Sequence, residues 1–134
     1  QCSVLAPDSI DTGLDTNDNS IVIRILYGDI SFIFTGDAGY PEEAYLAKTY
    51  GSALQSTVYK VGHHGSQTST SDTFLKKVSP EVGVISCGLR NSYGHPHQET
   101  LETLNKYGIK ILRTDLEGDI KIISDGNNYA VPHF

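Results

Sequence analysis

Val58-Tyr59-Lys60-Val61-Gly62-His63-His64-Gly65-Ser66 is the stretch on which the reading turns. Apolar and polar residues alternate up to Val61, as in a half-buried strand. The run then stops at a glycine, presents two adjacent histidines, and leaves through a second glycine and a serine. Imidazoles at the end of a strand, where the chain turns toward an open edge, are placed to bind a metal or an anion. The flanking glycines allow a sharp turn and a close approach. Successive residues at a strand end point in different directions, so one metal would rarely take both histidines. One of them is expected to ligate and the other to touch substrate.

Two further stretches look like members of the same site. Phe34-Thr35-Gly36-Asp37 ends another apolar strand on a carboxylate, and Tyr93-Gly94-His95-Pro96-His97 leads into a helix. Four of the five histidines lie in these clusters, so they read as one site. His133 reads as a tail residue. Asp37 suits a hard or borderline cation, although an Asx turn or a helix cap is the ordinary role of a Gly-Asp pair. Gly65-Ser66 could offer N–H groups and a hydroxyl to a phosphate oxygen. His95 and His97 sit at a helix start, where an imidazolium can hold a phosphate or protonate a leaving group, or can simply cap. Asp115 reads as a turn residue or as an acceptor behind an imidazole.

The 134 residues carry 10 basic and 16 acidic side chains, a formal net charge of −6. A protein held to nucleic acid by nonspecific phosphate neutralisation has a basic face, which this balance excludes. No apolar run reaches the roughly 18 residues of a membrane span. Cys2 and Cys87 have no metal-binding spacing, and a disulfide between them is open on sequence grounds. The sequence contains no methionine, which leads us to expect that it is part of a longer product.

Outward from the histidine pair, the pattern predicts strands over 3–7 (halted by Pro7), 21–27, 30–34, 82–87, 109–113, 118–124 and 129–131. Helices are expected over 41–50, 72–78 and 98–107, with a hairpin turn at Gly28-Asp29. A hairpin followed by alternating helices and strands predicts an α/β fold, a mixed β-sheet with helices on one face. Three helices cannot cover two faces. Ile21, Ile23, Ile25 and Ile33 are expected on the bare one, which a second copy or a missing half would cover.

With those residues laid out, the chain resembles the second half of a metallo-β-lactamase-superfamily domain, and most of all the ComEC-type competence proteins and their stand-alone hydrolase relatives. The matching stretches are Asn19 to Val22 leading into Phe32-Ile33-Phe34-Thr35-Gly36-Asp37, then Lys60 to Ser66, Pro80 to Ser86, Asn91 to His97, and Arg113-Thr114-Asp115. The resemblance implies an αβ/βα sandwich of two similar halves around one or two metal ions, Zn2+ or Mn2+. It implies that Asp37 bridges metals, that His64 rather than His63 ligates one, and that the Tyr93–His97 histidines lie beside the active site. The superfamily's His-x-His-x-Asp-His motif is absent, so residues 1–134 read as the C-terminal half of the domain, with the N-terminal half missing.

The function so implied is metal-dependent hydrolysis of phosphodiesters, DNA or a phosphocholine-type ester, in competence or DNA uptake at the cell surface or outside the cell. The candidate residues are Asp37 and His64 for metal, and His63, His97, His95 and Ser66 for catalysis. Residues 1–134 alone are expected to be inactive. Two alternatives stand beside this: a non-catalytic half-domain serving assembly, and a lactone or amide hydrolase of the same superfamily.

Overall fold

A computed structural model describes residues 1–8 and 16–132. His133 and most of the polar loop between Asp8 and Ser20 lie outside the described residues. Six strands form one sheet in the order β1 (Cys2–Ala6), β2 (Val22–Tyr27), β3 (Ile30–Phe34), β4 (Val58–Lys60), β5 (Val82–Ile85) and β6 (Lys110–Arg113). The first three strands are antiparallel and the last three continue from β3 in parallel. The sheet is therefore mixed, as the order of hairpin and helices predicts. Tyr27 pairs with Ile30 across the two-residue turn at Gly28-Asp29.

Helices α1 (Tyr40–Tyr50), α2 (Asp72–Val78) and α3 (Gln98–Lys106) make the parallel crossovers and share one face. Strand periodicity of two sorts the side chains. Ile33, Tyr59 and Ile85 point toward the helices and are fully buried with Leu46, Phe74 and Leu104. Each such apolar side chain contributes about 1.5–3 kcal/mol by leaving water. Ile33 thus belongs to the covered face, contrary to expectation, because it lies opposite Arg24 in the hairpin register and not opposite an isoleucine.

The other face carries Ile23, Ile25, Phe32 and Phe34 on the hairpin, and Val58, Val82, Val84 and Leu112 on the parallel strands. Its parallel half is covered from within the chain. Ile120, Ile122, Tyr129 and Val131 pack on Val58, Val82 and Leu112. The expected strand over 118–124 is accordingly reduced to β7 (Ile123–Ser124), paired with β8 (Tyr129–Ala130). Ile120 and Ile122 are used for packing on the sheet face, not for extending its edge. Just past the strand expected over 109–113, Thr114–Glu117 forms a single helical turn, α4. The antiparallel half stays open, with Val4 66%, Ile25 38% and Phe34 40% exposed.

Cys2 lies on β1 and Cys87 just beyond β5, four strands away. Strand spacing of about 4.8 Å puts them far outside disulfide reach. Both are free thiols.

Glu43 of α1 is completely buried. Its carboxylate accepts the backbone N–H groups of Thr70 and Ser71, the latter at 2.7 Å, and so ties α1 to the loop before α2. Burial raises its pKa above the ordinary value, and those two N–H groups oppose the rise. Glu43→Ala is expected to cost about 1–3 kcal/mol for each N–H left unpaired, read from the urea midpoint. A raised folded-state pKa means that the stability from this group is full below the unfolded value of about 4.3 and is lost as pH rises through the folded value. Glu43→Gln should flatten that part of the stability profile. A profile identical to that of the wild type would contradict the assignment.

Candidate functional site

The carboxyl ends of β3 and β4 meet at one edge of the sheet, and each releases its chain into a turn. After β3, the Asp37 backbone N–H donates to Ser20 Oγ at 3.1 Å, and Ala38 N–H closes onto Thr35 O. After β4, residues Gly62–Gly65 coil tightly, with His63 (φ 46°) and His64 (φ 55°) both in the left-handed region. Non-glycine residues seldom adopt that conformation, and two in succession need outside support. His63 N–H donates to Gly36 O at 3.0 Å, which ties this turn to the Asp37 turn. Ser69 Oγ donates to Gly62 O at 2.9 Å from below. At Gly65 (φ 82°) a Cβ would stand 2.6 Å from Pro96 Cβ, so only glycine lets the third cluster approach this closely.

The consequence is convergence. His64 Nε2 lies 3.5 Å from Asp37 Oδ1. His64 Nδ1 is 2.7 Å from Ser86 O, and a carbonyl only accepts, so Nδ1 carries the proton. In the neutral ring Nε2 then turns a lone pair toward a carboxylate oxygen. Two acceptors in that arrangement favour a cation between them, a proton or a metal ion. Donors around tetrahedral zinc at about 2.0–2.2 Å stand roughly 3.3–3.6 Å apart, which this pair satisfies. The Nδ1–H bond to a backbone carbonyl is also the outer contact that orients metal-binding imidazoles. The pair fits a divalent ion as two of its ligands. Among the described residues no group of three or more His, Cys, Asp or Glu is arranged to hold one.

The other predicted residues fall around this pair. His63 and Asp37 line a cleft of about 290 Å³ with Tyr40, Pro41 and Thr68. The ring of His95 lies 5.8 Å from His63, 6.3 Å from His64 and 4.9 Å from His97. His97 is the residue before α3, and its Nδ1 accepts the Gln67 N–H at 3.0 Å. A neutral His97 therefore carries its proton on Nε2. Ser66 is set apart. It is 5% exposed, its Oγ is 3.0 Å from Thr68 Oγ1, and its carbonyl accepts from Thr100 and Ser69. From that position it braces the loop.

Asp115 does not back an imidazole. Arg113 takes both its oxygens, at 3.0 and 2.6 Å, and that guanidinium holds the carboxyl below the usual carboxylate range. Burial pushes the neighbouring Cys87 thiol up, and the Asp115 charge adds to the rise. Burial lowers Lys60, with Asp37 and Cys87 opposing. Sequence reasoning missed Ser20, Tyr40, Thr68 and the Ser86 carbonyl. Tyr40 carried no signal beyond preceding Pro41, and a main-chain carbonyl has none in any sequence.

The model of the metallo-β-lactamase superfamily matches residues 10–89. The chain is 43% identical over 108 residues to competence protein ComA of Neisseria gonorrhoeae, covering 81% of this chain and 16% of that protein. It is 37% identical over 121 residues to ComE operon protein 3 of Bacillus subtilis, covering 90% of this chain and 15% of that one. Recombination protein 2 of Haemophilus influenzae is 37% identical over 119 residues, again 15% of its length. The chain therefore spans about one sixth of these relatives.

Burial lowers the His95 pKa, and His97, His63 and His64 lower it further by repelling a second positive charge, with Asp37 opposing. His95 is expected to titrate below the ordinary 6.5, as seen in its ring-carbon NMR shifts. A depressed folded-state value means that its contribution to stability is present above about pH 6.5 and is lost as pH falls through the folded value. Titration at or above 6.5 would contradict the packed imidazole cluster.

Proposed function

The chain belongs to the metallo-β-lactamase superfamily, and from that membership we propose that residues 1–134 supply one half of a metal-dependent phosphodiesterase site of the ComEC type. The observation that carries the reading is the Asp37–His64 pair, with Nδ1 tied back to Ser86 O and Nε2 turned toward the carboxylate. Asp37 and His64 are the ligands this half provides for Zn2+ or Mn2+. A divalent ion there supplies Lewis acidity toward water and toward a phosphoryl oxygen. His63, on the cleft with Asp37, faces the substrate. His97 donates from Nε2 to a phosphoryl oxygen, while Gln67 N–H holds its other nitrogen. His95, whose pKa burial and the neighbouring imidazoles lower, packs these imidazoles into one wall. Ser66 keeps the loop in place.

The remaining ligands and the cover for Val4, Ile25 and Phe34 come from chain outside these residues. Two ligands leave a zinc ion short of its four-coordinate shell, so residues 1–134 alone bind metal weakly and turn nothing over. The relatives' names, which speak of competence and recombination, favour DNA as the diester.

The test uses the longer protein that contains this segment, with bound metal and turnover of bis-p-nitrophenyl phosphate measured together. Asp37→Ala and His64→Ala are expected to lower metal content and reduce turnover by at least 100-fold, on the order of what loss of a first ligand and its preorganisation costs. His97→Ala should keep the metal and lose about 100- to 1,000-fold in rate, the scale of a lost phosphoryl donor. Activity untouched by Asp37→Ala would overturn the reading. Metal binding with hydrolysis of a lactone or amide but of no diester would reassign the bond.

A further inference from the structure

The loop between β5 and α3 presents an aromatic face that neither the fold nor the reaction above uses. Asn91 closes this loop. Its Nδ2 donates to Gly88 O at 2.9 Å and to His95 O at 2.6 Å, and its Oδ1 accepts His95 N–H at 2.9 Å. On the turn so fixed, Tyr93 lies 5.6 Å from His95, centroid to centroid, with the ring planes 19° apart. His95 is in turn within 17° of parallel to His64. Tyr93, His95 and His64 therefore form a short column of near-parallel rings that ends on the candidate metal pair. His95 stacks on one side of the Tyr93 ring, offset along it. The outer face of that ring is open, since Tyr93 is 76% exposed.

We propose that Tyr93 is a base-stacking residue that selects single-stranded nucleic acid for the Asp37–His64 site, an inference that rests on the phosphodiesterase reading. Charge supplies the first argument. With 16 acidic against 10 basic residues the chain has no general electrostatic grip on a polyanion, so a contact that does not depend on phosphate adds affinity that net charge does not supply. Stacking of a base on an aromatic ring is such a contact. Strand state supplies the second. In a duplex both faces of each base are occupied by neighbouring bases, whereas a single strand can splay a base onto an open ring. Position supplies the third. A base seated on the outer face of Tyr93 extends the column, and its strand is led past His95 toward His64 and Asp37. Tyr93 is 76% exposed and rests on the half-buried His95, so its ring contributes little to folding. Arg90, also exposed and on the same loop, gives the strand one cation.

The experiment measures binding in the longer protein without turnover, with EDTA present. The probes are a single-stranded oligodeoxynucleotide carrying 2-aminopurine, an abasic oligonucleotide of equal length, and the duplex. The wild type is expected to quench 2-aminopurine and to prefer the base-bearing strand to the abasic one. Tyr93→Ala should weaken binding of the base-bearing strand by about 5- to 150-fold, the worth of one stacked base. It should leave the abasic strand unchanged. Tyr93→Phe should bind like the wild type, because the ring and not the hydroxyl is used. Equal binding of the base-bearing strand by Tyr93→Ala and the wild type would overturn the proposal, as would tighter binding of duplex. If these binding differences hold in a protein that cleaves no diester, stacking is upheld and the hydrolase reading falls.

Discussion

Two successive residues in the left-handed region, His63 and His64, are what the site depends on. An L-residue there costs about 1–2 kcal/mol, so the turn persists only because its surroundings hold it. Gly36 O accepts from His63 N–H, Ser69 supports Gly62, and Gly65 lets Pro96 close in from the far side. Relax this turn into an extended strand end and His64 would no longer meet Asp37. The strain at His63 and His64 is thus tied directly to the placement of the two candidate ligands.

The support reaches deeper than the loop. Glu43, on a helix far away in sequence, accepts the N–H groups of Thr70 and Ser71 and so fixes the segment that carries Ser66, Gln67 and Thr68. Gln67 in turn holds His97, and Thr68 Oγ1 lies 3.4 Å from His63 Nδ1. A buried carboxylate is costly unless its hydrogen bonds are made. Here they are made to the backbone of the site loop, which links core packing to imidazole orientation. The sheet shows the same economy. One face is closed by three helices and half of the other by residues 120–131, while the hairpin half presents Val4, Ile25 and Phe34 to solvent.

Much of this was legible in the sequence, for identifiable reasons. The hairpin turn at Gly28-Asp29, the proline at the start of α1 and the Ser71 cap of α2 are local signals, and each marks an element within a residue or two of where it lies. The clustering of His63, His64, His95, His97 and Asp37 was legible because all five sit where strands end or a helix begins. Face assignment was not. Ile33 looked interchangeable with Ile23 and Ile25, yet the antiparallel register sets it opposite Arg24. Asp115 could be read as an acceptor behind an imidazole, yet Arg113, two positions earlier, bends back to take both of its oxygens.

The sequence by itself determined the mixed α/β order, the acidic balance and the identity of the chemical groups, because composition and short-range periodicity act within a few residues. The tertiary structure alone decided which histidine nitrogen faces Asp37. That choice hangs on a hydrogen bond between His64 and the main chain of Ser86, 22 residues away, and on a left-handed turn that no propensity scale favours. It likewise decided that Ser66 turns inward while Tyr93 stands open to solvent. Both are loop residues, one a small hydroxyl and one an aromatic ring, and the local sequence would have favoured the opposite fates. Long-range packing against α3 and the closure of a loop by Asn91 settled each of them.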